Sequence, residues 1–271
     1  MLTLTNLSGF GGGRLTDSPD LYKILKALNA TATCTHCVDC GNVSSFNTGG
    51  TSWNDLSGNA RNYPLGNSTS PEAGDPTFNG TPGSYGTTNY WTFPGSAQYF
   101  WGTTPATSTY ADTWHRAGGT WSFIAIYYQT SGVSRTRCVW STKGTSTQGV
   151  QIRISTAPAM QISHGITNST AQQTGSLSVP TDQWVVLGGS INDTSFDLSV
   201  NGSTQSLTGT ASTATGAGTV YGIAFQDFNF TDQLQAGDRL MALATFTSPI
   251  GISTIQNVYR LIKSNRIPAL L

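Results

Sequence analysis

Residues 195–207 constrain the fold more than any other stretch. Phe196, Leu198 and Val200 alternate with Ser195, Asp197 and Ser199, so an extended chain there buries one face and wets the other. Asn201-Gly202 follows at once, the pair that best tolerates the left-handed backbone of a two-residue hairpin, and residues 203–207 read as the return strand. The pattern repeats along the chain. Residues 121–128 are aromatic and β-branched on both faces, as a central strand requires. Asn192-Asp193 makes a similar turn after residues 183–189. Further strands read at 90–93, 98–101, 137–141, 150–155, 220–226 and 239–246. So many short strands, with glycine and Asn turns between them, predict an all-β sandwich.

Composition narrows the function. Charged residues make up 10% of the 271, against about 25% in an ordinary domain. Thirteen basic and thirteen acidic residues balance, which leaves no cationic surplus for nucleic acid. Seven Trp, ten Tyr and eleven Phe supply a core that a disordered chain would lack. No apolar run reaches the length of a membrane span. The opening Met-Leu-Thr-Leu-Thr-Asn-Leu-Ser has no basic segment or cleavage pattern, so synthesis in a cytoplasm is expected.

Two helices flank the strands. Ser18, Pro19 and Asp20 suit a helix start, and Leu21, Ile24, Leu25 and Leu28 form an apolar stripe with Lys23 and Lys26 off it. That stripe either packs on the chain's own sandwich or docks on a neighbouring subunit. Near the end, Ser253 and Gln256 have capping-box spacing, and Ile255, Val258, Tyr259 and Ile262 share one face. With the glycine-rich stretch 8–13, residues 1–35 read as a docking or oligomerising arm plus helix, and residues 36–271 as the sandwich.

Several segments carry a resemblance in their order. Cys37-Val38-Asp39-Cys40-Gly41-Asn42 precedes Trp53-Asn54-Asp55-Leu56-Ser57-Gly58-Asn59. Then come Trp121-Ser122-Phe123-Ile124-Ala125, Val139-Trp140-Ser141-Thr142-Lys143-Gly144, and Trp184-Val185-Val186-Leu187 ahead of the 198–202 turn. Over roughly residues 36–265 this resembles the laminin G-like, concanavalin A-like jelly-roll domains of tailed-phage virion proteins. The resemblance implies a jelly-roll β-sandwich and a non-enzymatic bacteriophage structural protein: a capsid decoration, cement or neck/collar component. It would work in the virion against other virion proteins, as a homo-oligomer (a trimer is expected). The alternative is a carbohydrate-binding, lectin-type module of a phage fibre or surface adhesin, with host-surface glycans as partner. For that role Trp101, Tyr110 and Trp114 are the candidate sugar-stacking residues.

Catalytic chemistry finds little footing. Glucanases of related fold pair carboxylates about 5 Å apart. This chain has one glutamate, Glu72, and its nearest imitation of a pair is Asp193 and Asp197 across a turn. His115 and His164 sit in no catalytic frame. No catalytic residue and no cofactor is expected. The cysteines leave three readings open. Cys34, Cys37 and Cys40, with His36 between them and Cys138 far downstream, could ligate a metal. They could form disulfides in an oxidising medium, with Cys138 or another subunit as partner, because x-x spacing on an extended chain holds the first three apart. They could also be buried thiols that pack as small hydrophobes. The resemblance adds a weak calcium candidate at Asp39, Asn42 and Asp55, side chains that serve equally well as turn formers.

Overall fold

The hairpin forms as its alternation requires: Asn201 (φ 49°) and Gly202 (φ 77°) both take the left-handed backbone that lets the strands keep their twist. The computed structural model describes residues 20–66, 72, 75–83, 88–93, 95, 99–102, 114–132, 135–142, 149–164, 172–213, 221–224 and 233–270. The glycine-rich arm, Ser18, Pro19 and Tyr110 lie outside them.

In chain order the elements begin with helix α1 (Leu21–Ala27), β1 (Cys34–Asp39), β2 (Ser52–Trp53), β3 (Tyr63–Pro64), β4 (Thr77–Asn79), β5 (Tyr90–Phe93) and β6 (Phe100–Gly102). The middle holds β7 (Thr120–Tyr128), β8 (Arg137–Ser141), β9 (Val150–Ile154), β10 (Ala159–His164) and β11 (Gln172–Ser178). The last part holds β12 (Trp184–Asn192), β13 (Ser195–Val200), β14 (Ser203–Thr208), β15 (Tyr221–Ile223), β16 (Asp238–Phe246) and helix α2 (Ile252–Asn265). Among the described residues, one sheet runs β14-β13-β12-β7-β16-β5-β4, with β1 also on β16, and the other runs β11-β10-β9-β8-β15-β6. Strands β5 and β1 share the same side of β16, β5 at residues 238–240 and β1 at 242–246. At the far side the two sheets meet, where Ser176 N donates to the Gln205 side chain at 2.7 Å.

Between the sheets lies an aromatic core. Trp53, Trp91, Trp121 and Trp140 are fully buried, and the Trp140 indole N–H donates to the Tyr63 hydroxyl at 2.7 Å. One ion pair crosses it: Arg137 on β8 donates to Asp238 on β16 at 2.8 Å, both buried. A second apolar layer covers the outer face of the larger sheet. Leu21, Ile24 and Leu25 of α1 and Ile255, Val258 and Ile262 of α2 pack there on Ile124, Ile126, Val186 and Ala244.

The docking expectation for the N-terminal stripe is therefore corrected. Leu21, Ile24 and Leu25 are sealed against the chain's own sheet, and Leu28 lies half-buried at the margin of that layer. The physical reason is that β1, β7 and β16 present an apolar outer face that something must cover. Helix α1 thus belongs to the sandwich's outer layer, and a boundary at residue 35 cuts through it. Its N-cap is Asp20, whose side chain accepts from Lys23 N at 2.8 Å. Helix α2 starts after Gly251 with no side-chain cap, so Ser253 does not close a capping box; Gln256 instead donates to the Gly202 carbonyl.

Candidate functional site

The sequence-derived candidates resolve first. Cys34 and Cys37 lie on β1, Cys40 just beyond it and Cys138 on β8 of the other sheet; all four are buried and none forms a disulfide. Cys37 faces the outer layer and Cys40 the inner core, as extended spacing dictates. Burial, and then the neighbouring Asp55 charge, pushes the Cys34 thiol up to about 12, and burial raises Cys37 and Cys40 well above the ordinary range. Such thiols are neutral and unreactive. The disulfide and metal expectations are corrected accordingly: among the described residues no group of His, Cys, Asp or Glu is placed to hold a metal.

The calcium candidates are committed elsewhere. Asp39 is fully buried and accepts two hydrogen bonds from Arg266, at 2.5 and 2.7 Å, plus those of Leu21 N and Gly41 N. Asp55 accepts from Cys37 N, Ser57 N, Ser57 Oγ and Arg61 N. Asn42 donates to Asp20 and accepts from Ser44 N. With their oxygens occupied by internal donors, these are turn and latch residues.

Trp114 is corrected too: it is 2% exposed and lies stacked on Trp121, with the planes 8° apart, so its face cannot meet a sugar. Its edge helps line a cleft of about 370 Å³ with Arg116, Thr120 and Thr247, where β7 begins. Trp101 sits on β6, where its backbone pairs with Gly222. Of the acidic residues, Asp197 is held by the hydroxyl of Ser206 on the neighbouring strand.

A different set of side chains meets at the other end of β7. Gly237 (φ 87°) turns the chain into β16, and Asp238 points inward to Arg137. Period-two alternation then turns Arg239 outward. A bulge between Leu240 and Ala242 follows, after which the strand continues in register with β7. Arg239 lies opposite Tyr128 on β7 and Thr92 on β5; Tyr128 lies opposite Trp184, and Thr92 opposite Thr77. These five residues make one row across β12, β7, β16, β5 and β4, roughly 19 Å long at about 4.8 Å per strand. Tyr90 and Asn79, paired with each other, flank it.

The geometry is that of a cation held between rings. The Arg239 guanidinium carbon is 4.4 Å from the Tyr128 ring centre and 4.8 Å from that of Tyr90. Trp184 closes the set, with its ring centre 5.6 Å from Tyr128 and 5.7 Å from Tyr90. Beside them Asn79 donates to the Thr92 hydroxyl, which itself donates to the Thr77 carbonyl. Tyr90, Tyr128, Thr92, Asn79 and Arg239 are half-buried and Thr77 is exposed. Among the described residues Arg239 has no ion-pair or hydrogen-bond partner, and its Nε is buried without one. Trp184 belongs to the outer apolar layer, and Tyr90 and Tyr128 pack against it. Sequence reading placed these residues on strands and saw no site, because the five strands that assemble it lie between positions 77 and 239. The one local signal was the outward arginine directly after the inward aspartate.

Solved structures share this arrangement of sheets. Trypanosoma rangeli sialidase in complex with sialic acid matches 86% of this chain over 33% of its own length, with a TM-score of 0.55 at 10% identity. A structure of botulinum neurotoxin type C, whose cell entry depends on two ganglioside molecules, matches 86% over 52%, at 0.59 and 12%. Domain 4 of AbnA, an extracellular arabinanase from Geobacillus stearothermophilus, in complex with arabinotriose, matches 84% over 98%, at 0.53 and 13%. The chain thus spans a third to a half of the sialidase and the neurotoxin. No sequence-family model and no curated protein sequence matches. At such identities the likeness shows the fold: an all-β jelly-roll sandwich, the class expected from the strand pattern.

Proposed function

We propose that this chain is a lectin-type carbohydrate-binding module that holds a glycan on the row from Trp184 to Thr77. The observation that carries the reading is the row itself. It offers aromatic surface for the apolar face of a sugar ring, and beside it a guanidinium, two threonines and an asparagine for the hydroxyls. Three structural neighbours support it: a sialidase in complex with sialic acid, a neurotoxin dependent on gangliosides and an arabinanase domain in complex with arabinotriose. The reading is one of binding without hydrolysis.

The resemblance over residues 36–265 supports a virion setting, in which the module sits on a phage fibre and several copies, as in a trimer, turn weak single-site binding into firm attachment. The same resemblance supports a second reading, in which the domain decorates or cements the capsid or collar through protein contacts alone. A glycan array probed with the intact chain separates the two. The lectin reading expects binding to a restricted set of glycans, with no release of reducing ends. Tyr128→Ala should weaken that binding about tenfold, on the order of 1.4 kcal/mol. Absence of binding to every glycan, from a folded chain, overturns the lectin reading in favour of the structural one.

A further inference from the structure

We infer that the ligand of this row is an acidic glycan, one whose sugar carries a carboxylate, and that Arg239 receives that carboxylate. The inference rests on the lectin reading and narrows it to a substrate class. It begins from an imbalance. Arg137 and Arg266, both buried, each meet a carboxylate at hydrogen-bond distance, whereas Arg239 is half-buried. Arg239 meets none. Among the described residues it has no ion-pair or hydrogen-bond partner. The nearest carboxylate in sequence, Asp238, is committed to Arg137 on the inner side of the sheet. The Nε alone is buried without an acceptor, which leaves the terminal nitrogens of this half-buried guanidinium as the donors a ligand can meet.

Tyr128 and Tyr90 flank the guanidinium at 4.4 and 4.8 Å, which restricts its freedom to move. A planar fork so restricted suits a carboxylate, which it can bind through two parallel hydrogen bonds, with less ordering left to pay for on binding. A phosphate or sulfate ester would meet the same charge. The carboxylated sugar is favoured because the fork is flanked by aromatic surface at its sides and by the Thr92, Thr77 and Asn79 polar groups along the row. That is where the ring and hydroxyls of a sugar would extend from a carboxylate seated on Arg239.

The test compares matched sugars by titration calorimetry on the full chain: sialyllactose against lactose, and a galacturonic acid oligomer against its methyl ester. Sulfated lactose is a third arm. At least one carboxylated sugar should bind tenfold or more tightly than its neutral counterpart, and raising the salt from 0.05 to about 0.5 M should erase most of the difference. Arg239→Gln should abolish the preference, so that a carboxylated sugar and its neutral counterpart bind that variant equally. Arg239→Lys, which keeps the charge and loses the fork, should fall between. Equal binding of acid and ester overturns the inference while leaving the lectin reading intact, as does a preference for the sulfated sugar or a preference that survives Arg239→Gln. Failure of every sugar, acidic or neutral, overturns the lectin reading and the inference with it. The acid–ester comparison uses the unaltered chain, so the test holds even where a variant does not fold.

Discussion

At the scale of single residues, His36 shows how burial sets chemistry. It lies on β1 with both ring nitrogens buried and unpartnered, and Tyr63 stands edge-on to it at 4.5 Å. Burial lowers its pKa to about 4; Asp55 opposes the shift and Arg61 adds to it. The folded value therefore lies below the unfolded one, about 6.5. Above pH 6.5 the ring is neutral in both states and the contribution is fully present. As pH falls from 6.5 to 4, only the unfolded chain takes up the proton, and stability drops by up to about 3 kcal/mol before levelling off. Urea denaturation across that range should show a steeper loss for the native chain than for His36→Leu; equal slopes would remove the assignment. The sequence offered His36 only as a possible fourth metal ligand within the cysteine cluster. It offered Asp39 as a calcium candidate or a turn former, because its partner Arg266 lies 227 residues away.

Elements were legible where pattern and packing agree. Strands β5, β8 and β13 fall at the residues their alternation or aromatic content marked, and β7, β12, β14 and β16 differ from expectation by a few residues at their ends. Strands β10 and β11 were missed, since Gln172–Ser178 is polar almost throughout and forms the edge of its sheet, where one face needs no apolar residues. The caps were misplaced for a related reason. A side chain of capping type announces a helix start only when the backbone leaves it there, and α2 is positioned by what lies beneath it. A Cβ on Gly188 of β12 would come within 2.3 Å of Ile255 Cγ2, so the helix seats on a position that must lack a side chain. Gly188→Ala should push α2 off the sheet and cost about 1–3 kcal/mol. An unchanged melting temperature would mean that the helix has slack to move.

For the whole molecule, fold class was readable because every hairpin states its own geometry, whereas the candidate site was not, because it exists only once five strands are in register. The sequence also divides the chain at residue 35, and the structure places α1 within the outer layer of the sandwich. Removing residues 1–30 should therefore cost stability as well as any docking function. Leu21, Ile24 and Leu25 are each worth roughly 1.5–3 kcal/mol of burial, and their loss bares the outer face of β1 and β16. A truncated chain that melts with the intact one would restore the boundary at 35.

The Asp39 carboxylate has a mechanical consequence. It takes hydrogen bonds from Leu21 N, where the described chain sets out, and from Arg266, a few residues before it ends. A pull applied between residues 20 and 270 is thus met at this one clasp, across α1, β1 and the last turn of α2. The row on β12, β7, β16, β5 and β4 lies off the line of force. Tension carried through the clasp would thus leave the candidate row on those strands at rest.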